Sequence, residues 1–130
     1  MKAPLPKTVL IIEDEANLRL SMAEALQAVG YEVQDCADAE KGVELAKSFK
    51  PTIIFCDVHL EPAGDGRTVL ARVRADDVLR DCQFVLMTGD WVGASERSSI
   101  HSGADAYLPK PFIFDEFRAC AEERYRQANL

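Results

Sequence analysis

A chain of 130 residues suits one domain, and 48% hydrophobic residues give it the material for a core. Its net charge of −7 argues against gripping a nucleic-acid backbone, which needs a basic face. No apolar stretch is long enough to span a membrane. Met1 to Lys7 hold two prolines and two lysines without an apolar core segment, so no secretory leader is expected and the location expected is cytoplasmic. Cys36, Cys56, Cys82 and Cys120 lie far apart, with no C-x-x-C and no nearby histidine pair. They read as small hydrophobes of a reducing compartment rather than as a disulfide or zinc set.

Residues 1–7 are expected to form a tail and 8–130 a single domain. Thr8-Val9-Leu10-Ile11-Ile12 is an unbroken apolar run, as in a strand buried on both faces, and it ends in Glu13-Asp14-Glu15. Leu18, Met22, Ala25, Leu26 and Val29 then keep helical spacing, and Gly30 is placed to end that helix as its C′ residue. Tyr31 to Cys36 alternates apolar and polar, as an edge strand does. Asp38 can cap a helix whose inward face is Val43, Ala46 and Phe49.

Pro51 leads into Thr52-Ile53-Ile54-Phe55-Cys56, a second fully buried run, which delivers the chain to Asp57. A Gly-, Pro- and Asp-rich loop from Val58 to Gly66 follows, then a helix with Val69, Leu70 and Val73 inward. Cys82 to Met87 is a fourth strand, followed by Thr88-Gly89-Asp90. A polar helix is predicted from Ala94 to Ser102, ending at Gly103. Ala106-Tyr107-Leu108 is a short fifth strand before Pro109-Lys110-Pro111. The last helix starts near Ile113 and buries Phe117, Cys120 and Ala121.

Five strands alternating with five helical patterns imply βαβ units, hence an α/β fold: a doubly wound parallel sheet with helices on both faces. Right-handed crossovers gather the carboxyl ends of the strands at one edge, where such sheets bind their ligands. At that edge stand Glu13 and Asp14 after strand one, Asp57 after strand three, Thr88 after strand four and Lys110 after strand five. Each alone has a plain explanation: a helix-capping acid cluster, a turn threonine, a loop lysine. Together they are harder to dismiss, because four strands in five end in a chemically useful group. Three carboxylates repel one another unless a cation sits among them, and hard oxygen ligands suit Mg²⁺. A lysine and a hydroxyl opposite would suit an incoming phosphoryl group, with Asp57 as its nucleophile.

The motifs Val-Leu-Ile-Ile-Glu13-Asp14-Glu15, Ile-Ile-Phe-Cys-Asp57, Val-Leu-Met-Thr88-Gly-Asp and Gly103-Ala-Asp-Ala-Tyr107-Leu-Pro-Lys110-Pro111-Phe112 occur in this order over most of the chain. In that order and spacing they resemble a response-regulator receiver domain of two-component signalling, of the chemotaxis-regulator type. The resemblance implies a flavodoxin-like, five-stranded parallel sheet of order 2-1-3-4-5 with five helices. It implies that Asp57 is the phosphoacceptor, charged by a sensor histidine kinase or a histidine phosphotransfer protein. Asp14 and Asp57 would ligate Mg²⁺ directly with the backbone carbonyl of His59, and Glu13 mostly through water. Lys110 would pair with the phosphoryl group, and the Lys110–Pro111 peptide would be cis. Thr88 and Tyr107 would form the switch pair, altering the face of the fourth helix, fifth strand and fifth helix for an output protein or a fused effector domain. Such a domain is no enzyme toward outside substrates; it catalyses only its own phosphorylation and dephosphorylation. His59, Gly89 and Asp90 flank the approach of a hydrolytic water and would tune the lifetime of the phosphoryl state.

One departure stands out. The loop after the acceptor carries an extra residue within Leu60 to Gly64, so that Pro62 and Gly66 each fall one position later than is usual in the family. The His59 side chain is expected to face solvent, His101 to lie exposed on a helix, and Trp91 to pack on the fourth helix or touch a partner. Phe114 is read as core, with exposure on the output surface as the alternative. Ala106 stands where DNA-binding relatives have an acid used in dimer contacts, which disfavours that kind of dimer.

Two other function classes are weighed. A Mg²⁺-dependent phosphohydrolase with an aspartyl nucleophile, of the haloacid-dehalogenase type, would carry Asp-x-Asp after its first strand and a substrate cap. An FMN carrier would need a phosphate loop after strand one, where this chain has acids.

Overall fold

The computed structural model describes residues 3–60, 64–89 and 103–130. Its strands are β1 (Thr8–Ile12), β2 (Glu32–Cys36), β3 (Ile53–Asp57), β4 (Gln83–Thr88) and β5 (Ala106–Pro109). They form one sheet of order β2-β1-β3-β4-β5, with every neighbouring pair parallel. Four helices lie among the described residues: α1 (Ala16–Gln27), α2 (Ala39–Phe49), α3 (Gly66–Ala75) and α4 (Phe114–Ala128). The expected polar helix over 94–102 falls outside the described residues. The doubly wound, flavodoxin-like architecture is therefore the one expected. No helix among the described residues is long and apolar enough to cross a membrane.

The unbroken apolar runs conceal an alternation of faces. Leu10, Ile12, Ile54, Cys56, Phe84 and Leu86 point to one side, where they meet Val43 and Ala46 of α2 and Val69, Leu70 and Val73 of α3. Val9, Ile11, Ile53, Phe55, Val85 and Met87 point to the other, against Met22 and Leu26 of α1 and Phe117 and Ala121 of α4. Both faces are covered, which is why β1 and β3 carry no polar alternation. Phe55 and Phe117 meet edge to face with ring centroids 4.8 Å apart. Each large side chain buried this way contributes roughly 1.5–3 kcal/mol, so the middle of the sheet is the fixed frame on which its carboxyl edge is built.

Three local expectations are corrected. Val29 is exposed rather than on the inward face of α1, because the helix stops at Gln27. Gly30, at φ +97°, turns the chain; its N–H bonds Gln27 O at 3.1 Å and the Tyr31 N–H bonds Leu26 O at 3.1 Å. This is a Schellman closure, and it tucks Tyr31 into the core in place of Val29. Strand β4 runs one residue later than expected, so Thr88 is its last residue and pairs with Pro109 rather than following the strand. Cys120 and Phe49 are only half-buried.

The segment before β1 also has partners. Leu5 donates its N–H to Asn129 Oδ1 at 2.7 Å and accepts from Tyr125 Oη at 2.6 Å. The Lys7 ammonium stands 5.3 Å from the ring centroids of both Tyr31 and Tyr125. These contacts fasten the end of α4 beside the start of the sheet.

Candidate functional site

The acidic turn after β1 divides its labour. Glu15 is the N-cap of α1, its carboxylate accepting from Asn17 N at 3.2 Å and Leu18 N at 2.6 Å. Capping is thus done by the third acid, and the first two are left for the sheet edge. Glu13 is fully buried, one oxygen accepting from Glu15 N at 3.0 Å and the other ion-paired with Lys110. Burial, with the neighbouring Asp57 charge adding to it, pushes the Glu13 carboxyl up to about 7, although Lys110 and the Glu15 N–H act the other way. Asp14 is half-buried. Glu13, Asp14 and Asp57 each bring a carboxylate oxygen into a group whose members lie within 4.8 Å of one another.

Asp57 is the last residue of β3 and is buried. Its Oδ1 accepts from His59 N at 3.3 Å and its Oδ2 from Lys110 Nζ at 2.9 Å. Behind it, the first turn of α3 presses against the strand end. A Cβ on Gly66 would lie 2.3 Å from the Asp57 carbonyl oxygen, so only glycine fits there.

The longer loop is closed at its base. His59 and Asp65 form an antiparallel bridge, Leu60 N bonds Gly64 O at 3.3 Å, and Gly66 N bonds Val58 O at 2.8 Å. Asp65 caps α3 by accepting from Arg67 N at 2.8 Å. The Arg67 guanidinium on the same carboxylate holds it below the ordinary carboxyl range. Residues 61–63, which include Pro62, lie outside the described residues.

Lys110 reaches the acids from the far side of the sheet edge. Its N–H bonds Thr88 O at 2.6 Å, and the peptide to Pro111 is cis, as expected. Burial alone would lower the Lys110 pKa, but its hydrogen bonds to Glu13 and Asp57 raise it above the ordinary value. Thr88 is buried at the end of β4. Tyr107 is half-buried on β5, opposite Leu86, two residues before the Thr88 level. A groove of about 330 Å³ opens beside Lys110, lined by Leu18, Gly89, Lys110, Pro111 and Phe112.

The structure thus brings Glu13, Asp14, Asp57 and Lys110 together, with Thr88 held to Lys110 through the backbone. Tyr107 lies on β5, the strand that leads to Lys110, two residues before the level of Thr88. His59 is exposed, as expected of its side chain, and contributes its N–H. Gly89 is at the rim. Asp90, Trp91 and His101 lie outside the described residues. Phe114 is half-buried, its ring 6.3 Å from those of both Phe112 and Phe117. The cysteines are all free.

Two residues of this edge were not singled out by the sequence reading. Gly66 was noted only for its spacing, and Arg19 not at all. Arg19 donates through Nη1 to Glu13 O at 2.8 Å and through Nε to Asp35 Oδ1 at 3.0 Å. The one available signal was its place one helical turn beyond Glu15, on the side of α1 that returns toward the acids.

The family model described as response regulator receiver domain matches residues 9–122. The chain belongs to that family. Among the relatives of this receiver domain is the DNA-binding dual master transcriptional regulator RpaA of Synechocystis, 35% identical over 111 residues. The match covers 85% of this chain and 46% of RpaA, so the receiver spans about half the length of that relative. The polar-differentiation response regulator DivK of Brucella anthropi is 30% identical over 114 residues, which is 87% of this chain and 91% of DivK. In fold, the receiver is similar to that of a sensor histidine kinase from Pseudomonas aeruginosa, solved with a magnesium ion coordinated in its active site cleft. The TM-score is 0.83 at 23% identity, covering 94% of this chain and 99% of the other. The chain is thus a receiver of the two-component response regulators, which are signalling proteins.

Proposed function

We propose that this receiver is a phosphorylation-driven switch in which Asp57 takes a phosphoryl group from a phosphohistidine of a sensor histidine kinase or histidine phosphotransfer protein. The observation that carries the reading is the placement of Asp57: at the end of a buried strand, 2.9 Å from Lys110 Nζ, with Glu13 and Asp14 oxygens close by. Three acids around one ammonium leave an excess of negative charge in a partly dry pocket, where burial first, and the Asp57 charge to a smaller degree, raise the Glu13 carboxyl. That donor set is all hard oxygen and fits a divalent cation such as Mg²⁺. Asp14, Asp57 and the backbone carbonyl of His59 are assigned to hold it, with Glu13 acting through water. When bound, the ion neutralises the phosphoryl oxygens and screens the acids from one another.

In the transfer, an Asp57 carboxylate oxygen forms a bond to phosphorus as the phosphorus–nitrogen bond to the donor imidazole breaks. The electron pair of that bond leaves with the imidazole, and Asp57 becomes an acyl phosphate. Lys110 shifts from pairing two carboxylates to holding a phosphoryl oxygen. The groove bounded by Leu18, Pro111 and Phe112 gives an apolar approach to Lys110 that suits an incoming imidazole. The Thr88 hydroxyl then turns to the phosphoryl group and Tyr107 moves inward. The message is read on the face of the predicted helix at 94–102, β5 and α4, by an output protein or a fused effector. His59, Gly89 and Asp90 are assigned to tune hydrolysis.

The test is incubation with acetyl phosphate or phosphoramidate, with Mg²⁺ and with a chelator. The expected product is a transient, acid-stable and base-labile acyl phosphate, formed only with the metal. No label, or a label equally strong under chelation, overturns the reading.

A further inference from the structure

We infer that Arg19 is a positioning residue for the acidic turn, setting the backbone from which Glu13 and Asp14 face the metal. The inference rests on the Mg²⁺ reading above.

The end of β1 has to carry two carboxylates toward a third without being pushed apart. Its backbone is held from two sides. Glu13 N–H bonds Cys36 O at 3.0 Å, which continues the sheet, and Glu13 C=O accepts from Arg19 Nη1 at 2.8 Å, which the sheet does not supply. The same guanidinium is fixed through Nε to Asp35 Oδ1 at 3.0 Å, and its side chain is 17% exposed. The root of the side chain is fixed as well, since Arg19 N–H bonds Glu15 O at 2.9 Å in the first turn of α1. Arg19 therefore ties together the ends of β1 and β2 and the start of α1. Asp14 sits between two residues whose carbonyls this one arginine engages. A planar fork is suited to the task, because it can hold a carbonyl and a carboxylate at a fixed angle, where an ammonium is a single point.

Charge and position make opposite predictions here. A cation near three acids weakens binding of another cation, so loss of the Arg19 charge alone would tighten Mg²⁺ binding. Loss of the carbonyl tether would weaken it, by loosening the turn that presents Glu13 and Asp14.

The experiment is calorimetric titration of Mg²⁺ into the intact protein and its variants at constant ionic strength. Arg19→Met is expected to weaken affinity by about five- to tenfold. Asp35→Asn removes the ion pair but leaves the carbonyl bond, and is expected to change affinity less than about twofold. Unchanged or tighter binding by Arg19→Met overturns the inference, as does an equal loss in Asp35→Asn. Should Arg19→Met fail to fold, Arg19→Lys supports the inference by weaker binding and opposes it by wild-type binding. Failure of the wild type itself to bind Mg²⁺ would instead remove the reading beneath.

Discussion

Gly66 stands so close to Asp57 that a Cβ on it would fall 2.3 Å from the Asp57 carbonyl oxygen and 3.1 Å from Val58 Cα. Both contacts are with backbone, which cannot swing aside as a side-chain tip can. The first turn of α3 is therefore a wall against the strand that ends in Asp57, the proposed acceptor. Gly66→Ala is expected to cost about 1–3 kcal/mol through forced backbone shifts, measured by urea unfolding. Because the shift falls on Asp57, phosphoryl labelling should slow as well. A variant as stable as wild type and equally quick to label would show that α3 yields freely here.

Lys110 bridges two buried carboxylates, Glu13 and Asp57. Lys110→Met leaves those acids facing each other with no ammonium between them. In chelator, the variant should lose about 1–3 kcal/mol of stability, less than a fully buried pair would lose because the lysine is partly exposed. Mg²⁺ should restore much of that loss. Urea titrations with and without Mg²⁺ check both halves; equal stability of variant and wild type in chelator would contradict the pairing.

The Glu13 carboxyl is pushed from 4.5 up to about 7 in the folded protein. The folded state thus holds this proton more tightly than the unfolded chain does. The contribution to stability is fully present below pH 4.5 and is lost as pH rises through about 7. At about 1.36 kcal/mol per unit, a shift of that size corresponds to a swing of roughly 3 kcal/mol. It should appear as the difference between wild type and Glu13→Gln in chelator, falling from acid to neutral pH. A difference that stays flat, or grows with pH, contradicts the assignment of burial as the dominant influence on Glu13.

Thr88 and Tyr107 lie on neighbouring strands, with Thr88 paired to Pro109 and Tyr107 to Leu86. Beryllofluoride, standing in for the phosphoryl group, should shift the resonances of Tyr107 and α4 in the wild type. In Thr88→Ala the complex should still form at Asp57, while the Tyr107 shifts shrink severalfold. Full Tyr107 shifts without the Thr88 hydroxyl would break the proposed coupling between the two.

Much of this was legible in the chain because a strand buried on both faces leaves an unmistakable apolar run. Glu13, Asp57 and Thr88 each come straight after such a run, as Asp57 follows Ile53-Ile54-Phe55-Cys56, whereas Lys110 follows the short, half-exposed β5. What was not legible depends on tertiary approach. Helical spacing kept Val29 in phase with the core, but spacing does not say that the helix closes at Gln27 and hands the buried place to Tyr31. Arg19 belongs to α1 by its spacing, yet its reach to Glu13 O depends on where β1 and β2 end. The tight seat of Gly66 likewise exists only once α3 packs on β3.

The most direct measurement is mass mapping of the phosphoryl group after brief exposure to phosphoramidate and Mg²⁺, comparing wild type with Asp57→Asn. Asparagine keeps the shape of the side chain and removes the nucleophile. Wild type should carry one base-labile phosphoryl group on the peptide containing Asp57, and Asp57→Asn, still folded, should carry none. Labelling of Asp57→Asn at the wild-type rate, or a wild-type label on any other residue, would contradict the account.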